Sequence, residues 1–233
     1  MKNLIKNYFE KYKININEKQ INNFVKFFEF LISENEKFNL TAITEPNEVI
    51  IKHFIDSILP LNDLPKGAKV IDVGTGGGFP GVPLKIMRED IEIVLLDSLQ
   101  KRVKFLEEVK SLLGLEKTTC VHARAEDYVK LTREKFDVAL SRAVASTPTL
   151  SEYLLPYVKV GGCAIMYKGS RAQEEIKEGQ KAIKEFGGKL EKVDKYILTE
   201  VDSERNIVFI KKISKTNSKY PRGKNLPKTK PIV

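Results

Sequence analysis

A glycine-rich stretch between residues 69 and 81 is the part of the chain whose residue types could do chemistry. The stretch, KVIDVGTGGGFPG, begins with an apolar run that ends at Asp72, and a helical pattern resumes at Val82. Five glycines fall within eight positions: Gly74, Gly76, Gly77, Gly78 and Gly81. A strand, a glycine turn and a helix in this order let the backbone approach a nucleotide-like ligand closely. The stretch therefore predicts a binding site for a ligand with a nucleoside part.

The glycine spacing fits two classes of nucleoside cofactor. Gly76, Gly78 and Gly81 match the G-x-G-x-x-G pattern of dinucleotide-binding proteins. The run from Asp72 to Gly78 also matches D-x-G-x-G-x-G, which is typical of S-adenosylmethionine (SAM) enzymes. A carboxylate at Asp72 is unfavourable beside a pyrophosphate but could attract the ammonium group of a methionine moiety. This difference favours SAM.

Residues after the glycines support the same choice. Pro80 and Pro83 would remove N–H donors that a pyrophosphate needs at the start of the following helix. Asp97 ends the second predicted strand, where a carboxylate accepts hydrogen bonds from ribose hydroxyls in either cofactor class. Ala125 and Glu126 follow the third predicted strand, where SAM enzymes commonly place an adenine contact. We therefore predict SAM rather than NAD.

The fourth predicted strand ends at an arginine and not at a base. Arg142 lies in the run SRAVAS at 141–146, which lacks the Asp/Asn-Pro-Pro-aromatic motif used on exocyclic amines. Neither cysteine lies in a setting for covalent attack on a pyrimidine. A site without a base fits a nucleophile with a free lone pair, such as guanine N7, whose methylation releases no proton. Arg142 could hold guanine O6 or a phosphate, and a surface salt bridge is the alternative role.

Alternating strand and helix patterns must position these residues. Strand patterns occur at 70–73, 91–96, 118–122, 136–140 and 163–167, with helical patterns between them. Two further strands, at 189–198 and 205–213, have no helix between them and predict a hairpin. The expected fold is α/β and Rossmann-like, with a seven-stranded, mostly parallel sheet, one antiparallel strand and additional N-terminal helices. Asn17 or Asn15 is expected to cap the main N-terminal helix, and Ser98 the helix after the second strand.

Composition and charge suggest three parts. The chain has 233 residues, of which 42% are hydrophobic and 30% charged, as is typical of a globular protein. Eight lysines and arginines and no acidic residue follow position 210, and they account for all but one of the nine excess positive charges. We predict a helical extension at 1–66, a cofactor-binding domain at 67–213 and an extended basic arm at 214–233. Such an arm suits a polyanionic partner or serves as a solubilising terminus.

Several further expectations follow from the same composition. The polar N-terminus and the lack of a long apolar run predict a cytoplasmic protein without a membrane partner. Cys120 and Cys163 lie in strand patterns without the spacing of metal ligands, so we predict buried thiols and no metal site. Nothing in the sequence demands a dimer, and we expect a monomer.

The chain resembles one known family over essentially its whole length. The shared motifs are NLTAI (39–43), HFIDSIL (53–59), DVGTGGGFPGVPL (72–84), LDSLQKRVKFL (96–106), RAE (124–126), SRAV (141–144), Lys168-Gly169 and the tail YPR (220–222) with later prolines. They are similar to those of the 16S ribosomal RNA guanine-N7 methyltransferases, RsmG (GidB). The resemblance implies transfer of a methyl group from SAM, with S-adenosylhomocysteine (SAH) as product, to N7 of one guanine in the 530 loop. It also implies 16S rRNA or the 30S subunit as partner.

The same resemblance, with the motif analysis, gives a set of expected site residues. Those expected at the cofactor are Asp72, Gly74, Gly76, Gly78, Phe79, Asp97, Ser98, Leu99, Ala125, Glu126 and Arg142. Those expected to act in catalysis or positioning are Arg142, His53, Arg124 and Asn39. Those expected to bind RNA are Arg124, Lys168, Arg205, Arg222 and Lys224. The tail departs from the family pattern, because Gly223 follows Arg222 directly and Asn225 stands where the family has glycine.

His53 and the overall function each have an alternative. A lone histidine on an amphipathic helix is often a packed or surface residue, whereas Asp56, on the same face, could orient it for a role in the pocket. The chain could also be a SAM- or nucleotide-binding, RNA-associated protein without methyl transfer, or a small-molecule methyltransferase. The basic arm and the arginines at strand ends argue against a small neutral substrate.

Overall fold

The central sheet has seven strands, as the sequence predicted. The computed structural model describes residues 1–142 and 145–233, so Ala143 and Val144 of the SRAV motif lie outside the described residues. The strands are β1 Lys69–Val73, β2 Glu92–Asp97, β3 Thr118–His122, β4 Phe136–Arg142, β5 Val158–Lys168, β6 Gly188–Leu198 and β7 Ser203–Lys212. Their order is β3-β2-β1-β4-β5-β7-β6. Only β7 among them runs antiparallel to its neighbours, β5 and β6, which confirms the hairpin.

Helices cover both faces of this sheet. They are α1 Lys2–Lys11, α2 Glu18–Phe38, α3 Pro46–Val49, α4 Asp56–Ile58, α5 Gly81–Met87, α6 Gln100–Leu113, α7 Ala125–Thr132, α8 Thr147–Leu154, α9 Ala172–Glu185 and α10 Leu226–Thr229. Successive strand residues face opposite sides, so Val70 joins the apolar cluster under α2, α5 and α6, while Ile71 joins the one under α8 and α9. Because β1 to β5 run parallel to one another, their carboxyl ends meet at one edge of the sheet.

The N-terminal helices pack directly on the first of these clusters. Asn17 caps α2 in a reciprocal arrangement with Gln20, as one of the two predicted caps. Phe27 of α2 stacks on Phe54 and Phe24 packs against the same ring at a tilt. The segment that carries Phe54, Ile50–Ile55, is a π-helical turn joining α3 to α4. The predicted helix at 47–61 is thus present, with a wider turn in its middle. This wider turn contains the predicted site residue His53, and such turns are frequent at functional sites.

The C-terminal segment, residues 214–233, is not the extended arm that the sequence suggested. The Thr216 amide donates to Glu134 Oε1 at 2.9 Å, and the Tyr220 ring packs edge-on against Phe186. A short helix, α10, then lies against α8. The segment packs because individual side chains bind buried partners in the core, which leaves no periodic pattern in the sequence. Within the described part of the chain, no helix is long and apolar enough to cross a membrane.

Candidate active site

The main cleft lies at the carboxyl ends of β1, β2, β4 and β5 and has a volume of about 840 Å³. Ligands of doubly wound α/β proteins bind at this edge of the sheet. The cleft is lined by Leu40, Ile43, Lys52, His53, Asp56, Gly74, Thr75, Gly76, Gly77, Phe79, Asp97, Ser98, Arg102, Arg142, Ala145, Tyr167, Lys168, Gly169, Glu175 and Arg205. Segments from the N-terminal helices, the sheet and the β6–β7 hairpin thus meet in one site.

The glycine turn leaves open space above its backbone. Gly74, Gly76 and Gly78 have positive φ angles of 74°, 60° and 92°, which glycine adopts without strain. A Cβ added at Gly76 would meet no atom within 4 Å, whereas one at Gly78 would lie 2.7 Å from Val82. Gly78 therefore permits close packing of the turn on α5, and Gly76 presents bare backbone to the cleft.

Asp72 does not lie in the cleft, which corrects the prediction that it meets an ammonium group. Its side chain is fully buried beneath the turn. Oδ2 accepts hydrogen bonds from the Gly81 amide at 2.8 Å and from the Thr75 hydroxyl at 2.7 Å. Burial raises the pKa of Asp72 to about 7. Asp72 therefore holds the two ends of the turn together, and its charge does not discriminate between cofactors.

Asp97 links the turn to β2. Its Oδ2 accepts a hydrogen bond from the Gly76 amide and its Oδ1 accepts one from the Leu99 amide, both at 2.9 Å, and Arg102 Nη1 lies 3.5 Å from Oδ2. Leu99, not Ser98, is the N-terminal cap residue of α6, and no side chain caps the helix, which corrects the predicted Ser98 cap. The side chain of Leu99 is exposed and lines neither the main cleft nor the smaller cavity that adjoins it.

A second cavity, of about 230 Å³, adjoins the main cleft. The two cavities share Gly74, Asp97, Ser98 and Ala145 as lining residues. The rest of its lining is Val73, Leu96, Ala123, Arg124, Ala125, Glu126, Tyr153, Asn225 and Lys228. The structure thus brings Asp97, Ala125 and Glu126 together, as the sequence predicted for a bound nucleoside. The last two residues in this lining come from the C-terminal segment, whose predicted role was in RNA binding.

His53 lies at the opposite end of the main cleft, stacked on Phe79 with ring centroids 4.4 Å apart. Arg142 Nη2 lies 3.3 Å from Nδ1, and Thr41 Oγ1 lies 2.7 Å from Nε2. Because arginine only donates hydrogen bonds, Nδ1 is the acceptor and Nε2 carries the proton that it donates to Thr41. Burial, and then the Arg142 charge, lowers the pKa of His53 to about 3. The ring is therefore neutral, and both of its nitrogens are occupied.

Asp56 orients two arginines and not His53, which corrects the predicted pairing. The carboxylate is 2% exposed. Its Oδ2 accepts a hydrogen bond from Arg142 Nη1 at 2.6 Å, and its Oδ1 accepts one from Arg205 Nε at 2.9 Å. The Arg142 guanidinium also lies 5.1 Å from the centroid of the Phe79 ring. Arg142 is thus held in a buried ion pair, and not in the surface salt bridge that was its alternative.

Lys168 lines the cleft but does not present a free charge. Its ammonium donates to Glu175 Oε2 at 2.6 Å and to the Ala145 carbonyl at 2.7 Å, and its side chain is 5% exposed. The same Glu175 oxygen accepts a hydrogen bond from the Thr147 amide at 3.0 Å. Burial lowers the pKa of Lys168. These contacts fix the start of α8 beside the cleft, a positioning role that differs from the RNA contact expected at this lysine.

Four other expected residues lie apart from the Arg142 end. Arg124 is 65% exposed at the rim of the second cavity, 3.9 Å from Glu126. Asn39 ends α2 with a left-handed backbone and lines neither cavity, although its neighbour Leu40 lines the main one. Arg222 is engaged with Glu152, and Lys224 is exposed outside both cavities. The structure therefore does not bring Arg124 and Asn39 together with His53 and Arg142.

Thr41, Asp56 and Glu175 bind side chains of the cleft but were not identified as site residues from the sequence. Thr41 and Asp56 lie within the NLTAI and HFIDSIL motifs, so the motifs were a signal for them, but the predicted partner of Asp56 was His53. Glu175 lies on α9 in a helix of ordinary amphipathic pattern, and nothing in the sequence marks it. Among the described residues no cluster of His, Cys, Asp or Glu could hold a metal ion, and Cys120 and Cys163 are free, partly buried thiols.

The arrangement suits binding of an extended ligand with a nucleoside part. The second cavity and Asp97 form one end, bare glycine backbone forms the middle, and a cation-rich subsite with Phe79 forms the other. Asp56 and Asp97 accept hydrogen bonds at both carboxylate oxygens, and His53 is occupied at both nitrogens. Asp56 and His53 belong to the Arg142 subsite and are already engaged in hydrogen bonds, so the described part of this subsite offers hydrogen-bond donors and positive charge.

Comparison with known proteins agrees with this geometry. Residues 20–212 match the model of the GidB family, described as rRNA small subunit methyltransferase G. The chain is 46% identical over 228 residues to the ribosomal RNA small subunit methyltransferase G of Clostridium novyi, covering 96% of this chain and 94% of that protein. It is 48% identical over 225 residues to the protein of the same name from Desulforamulus reducens, covering 95% and 94%.

The fold also matches solved structures of low sequence identity. An O-methyltransferase from Bacillus cereus, in complex with SAH, superimposes with a TM-score of 0.60 at 15% identity, covering 88% of this chain and 96% of that one. This similarity confirms the Rossmann-like methyltransferase fold. With the family match over most of the chain, it leads to one conclusion: the chain belongs to the GidB family of rRNA small subunit methyltransferases.

Proposed function

We propose that this protein transfers a methyl group from SAM to N7 of a guanine in the 530 loop of 16S rRNA. Support comes from the family match, from relatives named for small-subunit rRNA methylation, and from a cleft with a nucleoside end and a cation-rich end. The 30S subunit or its precursor is the proposed partner. The protein works as a monomer in the cytoplasm, where its substrate is made.

The residues of the cleft fit SAM. Asp97, Ala125 and Glu126 would hold the adenosine part, and the bare backbone at Gly74 and Gly76 leaves room for the amino acid part. Asp97 would accept ribose hydroxyls while keeping its bonds to the Gly76 and Leu99 amides, since each carboxylate oxygen accepts more than one hydrogen bond. SAM, when bound, supplies an electrophilic methyl group on a sulfonium. The chain must then align the accepting atom and exclude water.

The observation that carries the proposal is the state of the groups facing Arg142. His53 is neutral. Its Nδ1 accepts a hydrogen bond from Arg142, and its Nε2–H donates one to the Thr41 hydroxyl. A substrate atom that had to lose a proton would need a free base here. Guanine N7 loses none, because methylation turns a neutral base into a cation. The low pKa of His53, about 3, suits this chemistry, since the ring neither takes a proton nor adds a positive charge.

Each group at this end has a proposed role. Phe79, stacked on His53, forms an apolar wall for the target base, and Arg142 with Arg205 binds guanine O6 or the adjoining phosphate. Asp56 and Lys168 hold these elements in place. The exposed Arg124 and Lys224 contact rRNA phosphates away from the reacting base. Asn39 acts indirectly, through the placement of Leu40.

The three predicted parts of the chain have corresponding roles. Residues 1–66 cover the substrate end through Thr41, His53 and Asp56, and residues 67–213 bind the cofactor. Residues 214–233 brace α8. Two alternatives remain distinct from this proposal: an RNA-associated SAM-binding protein without transfer, and a small-molecule methyltransferase. The first would bind SAM without turnover, and the second would not need two arginines converging on one buried carboxylate.

The test is methyl transfer from tritiated SAM to 30S particles that lack the modification, followed by digestion and nucleoside separation. Label in 7-methylguanosine is the expected result, with Arg142→Lys as a control that keeps the charge but loses the planar fork. Label in another nucleoside would exclude N7 as the target. SAH binding without label in competent particles would favour the protein without transfer.

A further inference from the structure

We propose that the C-terminal segment 223–230 forms one wall of the nucleoside subsite, so that docking of this segment and binding of the cofactor are coupled. The inference rests on the proposed function, because it takes SAM as the ligand. It assigns the basic C-terminus a role toward the cofactor, whereas the charge pattern of the sequence suggested RNA.

The first observation is the position of the segment beside the second cavity. Asn225 and Lys228 line the second cavity together with Ala125 and Glu126. This cavity adjoins the main cleft at Asp97, whose carboxylate is the expected ribose contact. A base attached to that ribose and directed away from the glycine turn enters the second cavity. The segment therefore borders the volume that the adenine ring would occupy.

The second observation is how firmly the segment is tied to α8. Glu152 is 1% exposed and accepts hydrogen bonds from the Arg222 amide at 2.7 Å and from its guanidinium at 2.9 Å and 2.7 Å. The buried Thr149 hydroxyl donates to the Pro227 carbonyl at 2.9 Å. A charge-assisted pair of this geometry fixes position as well as adding energy. Tyr153, next to Glu152, lines the same cavity, so α8 and the segment form one surface.

The third observation is the charge of the cavity. Glu126 and Asp97 are buried carboxylates that line the cavity. Lys228, from the basic C-terminal segment, lines the same cavity. Lys228 adds to the cations already beside these carboxylates, since Arg102 lies 3.5 Å from Asp97 and Arg124 lies 3.9 Å from Glu126. Because a ligand that binds only the docked arrangement must stabilise it, SAH and the segment must favour each other by the same factor.

The affinity test compares four chains by calorimetric titration with SAH: the full chain, a truncation ending at Gly223, Lys228→Ala and Lys230→Ala. The truncation keeps the Tyr220 packing and the Arg222–Glu152 pair, so the fold is retained, as circular dichroism would verify. We expect Kd to rise about tenfold in the truncation, a typical coupling factor, and about threefold in Lys228→Ala, a fraction of one polar contact. Lys230→Ala removes the same charge outside the cavity and should leave Kd unchanged.

A second readout uses trypsin on the full chain. Cleavage after Lys224 and Lys228 should slow about tenfold at saturating SAH, by reciprocity, relative to cleavage after the exposed Lys13. An unchanged Kd in the truncation, equal losses in Lys228→Ala and Lys230→Ala, or no protection would overturn the proposal. Weaker 16S rRNA binding by the truncation with unchanged SAH affinity would assign the segment to RNA instead. If the full chain bound no SAH, the proposed function itself would fail, and this inference with it.

Discussion

Arg142, at the end of β4, donates a 2.6 Å hydrogen bond to Asp56, 86 residues earlier in the N-terminal helical segment. The same carboxylate holds Arg205 from the β6–β7 hairpin. One buried charge thus fixes two guanidinium groups from opposite parts of the chain at the substrate end of the cleft.

Asp56→Asn should impair methyl transfer far more than cofactor binding. The substitution keeps the shape but removes the charge that holds two arginines, so we expect kcat to fall about 100-fold, as for misplaced catalytic groups. The Kd for SAH should stay within about twofold of wild type, since Asp56 does not approach the nucleoside end. Asp63→Asn, at an exposed ion pair with Lys192, is the matched control. Equal losses in kcat and SAH affinity would contradict a positioning role.

Asp72→Asn should be tolerated, whereas Asp72→Ala should not. Asparagine keeps an acceptor for the Gly81 amide and the Thr75 hydroxyl but places an amide NH₂ where Oδ1 has no partner, so it should cost about 1 kcal/mol in unfolding free energy. Alanine leaves the buried amide without a partner, which costs about 1–3 kcal/mol. Urea unfolding and SAH titration of both variants provide the measurement. A tenfold loss of SAH affinity in Asp72→Asn at wild-type stability would restore Asp72 as the ammonium ligand.

His53 should make the protein less stable in mild acid. Its pKa is about 3 in the folded chain and near 6.5 when unfolded. Between these values the unfolded chain binds a proton that the folded chain does not, so stability falls by about 1.4 kcal/mol per pH unit. The raised pKa of Asp72 acts in the opposite direction, since the folded chain keeps the proton there. The effect is therefore isolated by comparison with His53→Gln.

Urea unfolding of wild type and His53→Gln at pH 7 and pH 5 gives that comparison. Wild type should lose about 2 kcal/mol more than the variant between the two values, from the slope above. Identical losses in the two proteins would show that His53 takes a proton in the folded state.

Arg124 and Lys168 should differ in the salt dependence of 16S rRNA binding. Arg124→Ala removes an exposed charge, so the slope of log K against log salt should shrink by about 0.7–0.9 if one phosphate contact is lost. Lys168→Met removes a buried charge already paired with Glu175, so the slope should stay and thermal stability should fall. Lys19→Ala is the control, because it removes an exposed lysine paired with Glu89, which precedes β2. A reduced slope in Lys168→Met would mean that this lysine leaves Glu175 to bind RNA.

The sequence predicted best those features that depend only on residues close together in the chain. The strand patterns and the hairpin of the last two strands are short-range features, and the structure confirms them. The hairpin connection is residues 199–202 and contains one 3₁₀ turn, Thr199–Val201. The convergence of Asp97, Ala125 and Glu126 also follows from parallel strands, whose carboxyl ends meet at one edge.

The errors concern side chains whose direction depends on distant partners. Asp72 points under the turn because the Gly81 amide and the Thr75 hydroxyl both donate hydrogen bonds to it there, which the spacing alone does not reveal. Asp56 was matched with His53, three residues away, but its partners lie 86 and 149 residues along the chain. The C-terminal segment packs through a few specific bonds and so has no periodicity to find.

Methylation of guanine N7 is tested most directly by strand scission specific to 7-methylguanosine in 16S rRNA. Unmodified 30S particles are incubated with the protein and SAM, the RNA is treated with borohydride and then aniline, and primer extension locates the breaks. We expect one new break, at a single guanine of the 530 loop, that requires both protein and SAM and is lost with Arg142→Lys. Methyl incorporation without scission, or scission at guanines elsewhere, would contradict it.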